Sequence, residues 1–314
     1  MPHPDSLVSL GFIAFNELFE VAFFTELVQN ITDKVPGYQY SDIPNRDQVL
    51  AALKVVVAQE ELHELNANGA FTHFTGNTIT PCKYVFPVSN FTEAIGLAST
   101  FTDVVLSTLP DIQTIFAENG DNGLIRGVGS VIGQEGEQDG FYRNILGKVP
   151  SALPFLTAGA RDFAFNAINQ NFVVPGSCDA SIDLLTKPEQ GTGLQFFDIL
   201  KAETDPSLIT SDEDTTLDFS FSTTTSAVHA QSFVVETSGT QYLTYINQQN
   251  VPFSFPLGPL KAGHDKTTFS ATFPGKTNEM NGLTFAAITN GKDFASADEV
   301  AAATVFGPAL IEVN

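Results

Sequence analysis

A chain of 314 residues, 43% of them hydrophobic, can bury a sizeable core and is long enough for two domains. Its 14 Lys and Arg against 36 Asp and Glu give a formal charge of −22. That charge argues strongly against a nucleic-acid backbone or an anionic membrane surface as partner, because both are bound through basic surface.

The opening MPHPDS is not a signal peptide, so a secreted protein would have lost its leader, the alternative being a cytoplasmic one. The low-cation surface, rich in Ser, Thr, Asn and Gln, and the sequons at Asn30 and Asn90 favour secretion. The apolar run Leu7 to Phe15 is too short to span a membrane and soon meets Glu17 and Glu20. From Leu7 to about Asn30, the residues Leu10, Ile13, Glu17, Glu20, Phe24 and Leu27 recur at helical steps, with Asp5 or Ser6 as cap. A second helix is predicted from about Asp47 to Asn68, closing near Gly69 and leaving His73 in a loop. A third runs from Phe91 to about Ala117, kinked or broken at Pro110. A fourth spans about Gly123 to Leu146, and a shorter fifth follows Ser151 through FLTAGARDFAFNAINQ. Long amphipathic helices argue for an up-and-down bundle, and the long connection from Gly69 to Asn90 matches the single crossover of a ferritin-like arrangement.

After Pro175-Gly-Ser-Cys-Asp179 the period changes to two. Leu217, Phe219 and Phe221 alternate with polar residues, as do Phe269, Ala271 and Phe273, and Leu283, Phe285 and Ala287. QSFVVET, QYLTYIN and the terminal ALIEV are further strand candidates, and together they read as an antiparallel β-sandwich. The predicted fold is α+β in two domains: a ferritin-like helical bundle over 1–172, then a β-sandwich over 173–314. Cys82 and Cys178 form one disulfide in an oxidising compartment or remain two buried thiols. His229 and His264 lie in the β half without evident partners for a metal.

Within the second helix, Val49, Leu53, Val56, Glu60, His63 and Ala67 form one stripe. The neighbouring stripe of Ala51, Val55, Ala58, Leu62 and Leu65 is expected in the core, with Lys54, Glu61, Glu64 and Asn68 towards solvent. Glu17 and Glu20 interrupt an apolar stripe in the same way, and Glu135, Gln138 and Tyr142 share one in the fourth helix. Beside it, Gly129, Gly133, Gly136 and Gly140 suggest close approach of a neighbouring backbone. Buried carboxylates must be paired, protonated or bound to a cation. Carboxylate-bridged dimetal bundles use one Glu from each of two helices and a Glu-x-x-His pair from each of two others. Glu60-x-x-His63 matches such a pair, and Glu135-x-x-Gln138 matches it with an amide for the imidazole.

The runs ELFEVAFFTEL, EELHELNANGAF, IGQEGEQDGFYRN and FVVPGSCD, in that order, resemble the fungal ferritin-like proteins of the late sexual development type, akin to plant desiccation-related proteins. The resemblance covers about residues 7–180 and implies a metal site at Glu17, Glu20, Glu60, His63, Glu135 and Gln138, holding Fe or Mn, or no metal if the site is degenerate. Thr102 stands where the third helix would carry its ligand Glu, with Asp103 on another face. The leading expectation is therefore a non-catalytic developmental, stress or storage protein. The alternatives are an Fe- or Mn-binding oxidase or peroxide-handling protein, and a module that binds a cell-wall or protein partner through the sandwich, with oligomerisation open.

Overall fold

The computed structural model describes residues 1–222 and 241–313. The chain forms two compact units, Met1–Pro150 with Ile168–Leu194, and Ser151–Ala167 with Gln195–Asn314. They interleave in sequence, where a single boundary near 172 was expected.

In the helical unit, α1 (Pro4–Asp33) starts with Pro4, and its N-cap is the His3 imidazole, which accepts the Asp5 N–H, in place of Asp5 or Ser6. This helix is long and apolar enough to cross a membrane, but 78% of that apolar window is buried inside the protein. It packs along α2 (Arg46–Thr75). Phe19 anchors an aromatic cluster with Tyr84, Phe86, Phe101 and Phe172, at ring separations of 5.0 to 5.9 Å.

The second helix departs from expectation in three ways. It continues through Gly69 and ends only at Gly76, whose φ of +74° closes it, so His73 lies on its last turn and not in a loop. A helical glycine costs about 1 kcal/mol relative to alanine, and the burial of Phe71 and the anchoring of Asn68 outweigh it. Asn68 is buried, not solvent-facing: its amide donates to the Ile79 carbonyl and its oxygen accepts the Ile79 N–H. Val49, Leu53, Val56 and Glu60 are buried, whereas Ala51, Val55, Ala58, Leu62 and Leu65 are exposed, against the core assignment. The principal packing partner of α2 is α1, and the second apolar stripe lies outside that contact.

Helix α3 (Phe91–Glu118) runs unbroken past Pro110, its start capped by the Asn90 side chain, which accepts the Glu93 N–H. It packs along α4 (Asn122–Ile145). The glycine stripe of α4 does not receive a neighbouring backbone. A Cβ at Gly133 or Gly136 would meet open space, one at Gly129 only the Gln113 side chain, and one at Gly140 an ordinary contact with Pro150. Helix α5 (Arg161–Asn171) begins later than FLTAGA suggested, and α6 (Asp183–Thr186) is a single turn. The segment after α5 belongs to the helical unit because it is tied to the crossover. Val85 N–H donates to Phe172 O, Val174 N–H donates to Lys83 O, and Cys82 and Cys178 form a disulfide.

The second unit contains β1 (Leu200–Ala202), β2 (Thr215–Ser222), β3 (Tyr242–Asn247), β4 (Phe253–Pro256), β5 (Lys261–Ala262), β6 (Lys266–Phe273), β7 (Gly282–Thr289), α7 (Ala297–Ala303) and β8 (Thr304–Val313). Two antiparallel four-stranded sheets, ordered β1-β2-β6-β5 and β4-β3-β7-β8, face each other across one core. Phe221 meets Phe306 at 4.5 Å and Tyr245 meets Phe273 at 5.7 Å between them. Leu217, Phe219 and Phe221 are buried as expected, but Ser220 between the last two is buried as well, and β7 is buried along its whole length. Its outer face is covered by the 151–167 segment: Phe163 stacks on Phe285, and the Thr157 hydroxyl donates to Leu283 O at 2.6 Å. That cover is the physical reason why this segment joins the sandwich. QSFVVET and His229 lie outside the described residues, and His264 is exposed beside Asp265.

Candidate metal centre

Each of three helices turns an acidic side chain into the interior of the helical unit. Glu17 comes from α1, Glu60 and His63 from α2, and Glu135 from α4; the three glutamates are at most 1% exposed. One ligand atom from each of these four residues lies within 4.8 Å of all the others. The His63 Nδ1 is 2.9 Å from Glu60 Oε2, 3.7 Å from Glu17 Oε2 and 3.8 Å from Glu135 Oε1. Spacing by three residues on α2 brings Glu60 and His63 onto one face, as helical geometry requires.

The two other predicted residues take different places. Glu20, one turn beyond Glu17, is buried next to the group but offers no atom to the four-membered set. Gln138 donates its amide to Glu60 Oε1 at 2.6 Å, so it orients a carboxylate and presents no oxygen to the group. Its own oxygen accepts the Tyr142 hydroxyl at 3.4 Å. Thr102 is buried on α3, which contributes no carboxylate to the set. Sequence reading missed Gln59, which accepts a second bond from the Gln138 amide, and the buried Asn16, which hydrogen-bonds Glu20. A signal for Asn16 was there: an amide directly before Glu17 in an otherwise apolar stretch.

The charge balance is lopsided. Among the described residues no Lys or Arg pairs with any of the four glutamates, and His63 is the one cationic group among them. Burial pushes the Glu17 carboxyl up to about 7, with His63 opposing and Glu60 reinforcing the rise. Glu20 and Glu135 are held well above the usual carboxylate range, first by burial and then by their neighbouring carboxylates. Burial works against a charge on His63, but its contacts with Glu17 and Glu60 carry it up to about 10. Such a cluster is neutralised by protons or by a cation.

The donor set fits a cation. Both Glu135 oxygens, Glu17 Oε2 and Glu20 Oε1 are buried without a hydrogen-bonding partner, a costly arrangement that coordination relieves. Metal–oxygen bonds of roughly 2.1 Å put opposite ligands about 4.2 Å apart, within the spread of this set. No family model and no curated protein sequence matches the chain.

Proposed function

We propose that the helical unit holds one Fe or Mn ion between Glu17, Glu60, His63 and Glu135. On this reading the chain is a metal-binding protein akin to the fungal ferritin-like proteins of late sexual development. The observation that carries the proposal is Glu135, whose two carboxylate oxygens are buried and unpartnered beside two more glutamates. Three carboxylates with one imidazole suit Mn or Fe better than the thiolate-bound metals. The absence of an α3 carboxylate favours one ion over a bridged pair. The orphaned carboxylate oxygens favour the metal-binding alternative over a purely structural remnant, because a hydrogen-bonded remnant would leave fewer of them. When bound, the ion supplies Lewis acidity or one-electron chemistry. The chain's own part is to hold it, with Gln138 fixing Glu60. The Cys82–Cys178 disulfide supports an oxidising compartment and hence secretion.

Titrating metal-free protein with Mn²⁺ under anaerobic conditions tests this. Uptake should saturate at one ion per chain and release about two protons near neutral pH, chiefly from Glu135 and His63, since both must deprotonate to ligate. Glu60→Ala and His63→Ala should abolish saturable uptake, while exposed Glu61→Ala should leave it unchanged. Uptake unaffected by the first two substitutions would refute the site.

A further inference from the structure

The buried cluster is not sealed. Glu17 and His63 also line a cleft of about 710 Å³, within the size range of small-molecule sites. Its walls are apolar, from Ile13 and Leu109 through Phe74 to Leu124 and Val131. Leu62, 65% exposed on α2, lines it too, which gives this apolar side chain a place in the cleft wall. Room is made by α4: Gly127 lines the cleft, and a Cβ there would meet nothing within 4 Å.

The lining chemistry selects the occupant. Among the described residues no Lys or Arg lines the cleft, and a carboxylate stands in it. His63, the cationic group in the lining, is already engaged by Glu60 and Glu17, so an anionic ligand would meet no free counter-charge and the field of a chain carrying −22. Gln134 lines the same space, and its side-chain oxygen is buried with no hydrogen-bonding partner. An unpartnered buried acceptor calls for a donor on the ligand.

We propose that this cleft binds a neutral, apolar small molecule bearing one hydroxyl, an alcohol or phenol, with its hydroxyl on Gln134 and its body against the apolar walls. Calling that molecule a substrate rests on the metal reading above; binding itself requires only the cleft.

Binding of 1-naphthol, followed by its own fluorescence, tests this on the full chain. It should saturate at one molecule per chain, with 1-naphthoate, which is anionic, and naphthalene, which lacks the hydroxyl, each at least tenfold weaker. Gly127→Leu fills the cleft from a helical position with free space and should weaken 1-naphthol binding at least tenfold. Gly136→Leu, on an exposed part of α4 outside the cleft, should leave it unchanged. Thermal melting confirms that both variants fold. Equal binding of the three probes, or 1-naphthol binding indifferent to Gly127→Leu in a folded variant, would overturn the proposal. Failure to take up Mn²⁺ with 1-naphthol binding intact would remove the metal reading and leave the cleft standing.

Discussion

Replacing Glu135 with leucine is expected to make the metal-free protein more stable and to remove its metal. Glu135 is 1% exposed, and neither carboxylate oxygen has a hydrogen-bonding partner. Removing a buried polar group that has no hydrogen-bonding partner relieves its desolvation cost, about 1–3 kcal/mol. A gain of about 2 kcal/mol raises the melting temperature of a unit this size by roughly 4–8 °C. Mn²⁺ affinity should meanwhile fall by at least about 100-fold, because one ligand of four is gone and nothing replaces its charge. Thermal unfolding with and without Mn²⁺, combined with equilibrium dialysis, reads both effects. Their opposite signs are diagnostic. A hydrogen-bonded network that only supports the fold would lose stability on the same substitution, so a lowered melting temperature with unchanged Mn²⁺ uptake would contradict the metal centre.

Metal-free and metal-loaded protein should also respond oppositely to pH. The folded state raises the Glu17 carboxyl from 4.5 to about 7. Between those values the native protein keeps a proton that the unfolded chain has released, so stability falls as pH rises. At about 1.4 kcal/mol per pH unit, Glu17 alone removes on the order of 3 kcal/mol across that window. Glu20 and Glu135, also raised, act in the same direction. The His63 contribution has the same sign: raised from 6.5 to about 10, it is fully present below 6.5 and is lost as pH climbs through 10. Metal-free protein should therefore melt lower near pH 8 than near pH 5. Added Mn²⁺ reverses the trend, because ligation requires deprotonated side chains and strengthens as protons leave. Calorimetry at both pH values would count against the proposed centre if Mn²⁺ stabilised the protein equally, or more, at the lower one.

The inward carboxylates were legible because helical periodicity alone sets their direction. Glu60 and His63 continue the line of Val49, Leu53 and Val56, and all but the slightly open His63 are buried. The same periodicity failed one position round the helix. Val55, Leu62 and Leu65 look like core by composition, yet the first stripe already meets α1 and the second lies outside that contact. Which stripe is buried depends on how many neighbours a helix has, and that information lies outside its own sequence. Gly69 misled for a related reason: a glycine weakens a helix locally, while Asn68 and Phe71 on either side are fixed by tertiary contacts. In the sandwich, alternation revealed β2, but β7 is covered on both faces, and its outer cover comes from a segment more than a hundred residues earlier. Short strands such as β5, two residues long, carry no readable period. Gln138 was expected as a ligand standing in for an imidazole, and its role as a donor to Glu60 followed only from the 2.6 Å contact.

The most direct measurement is elemental analysis of the full-length chain after anaerobic loading with Fe²⁺ or Mn²⁺ and exhaustive dialysis, with His63→Ala treated in parallel. The expected result is close to one Fe or Mn per wild-type chain and almost none in the variant. A wild-type chain that retains less than about one-tenth of an ion under these conditions, or a His63→Ala variant that retains as much as wild type, would contradict a metal centre at Glu17, Glu60, His63 and Glu135.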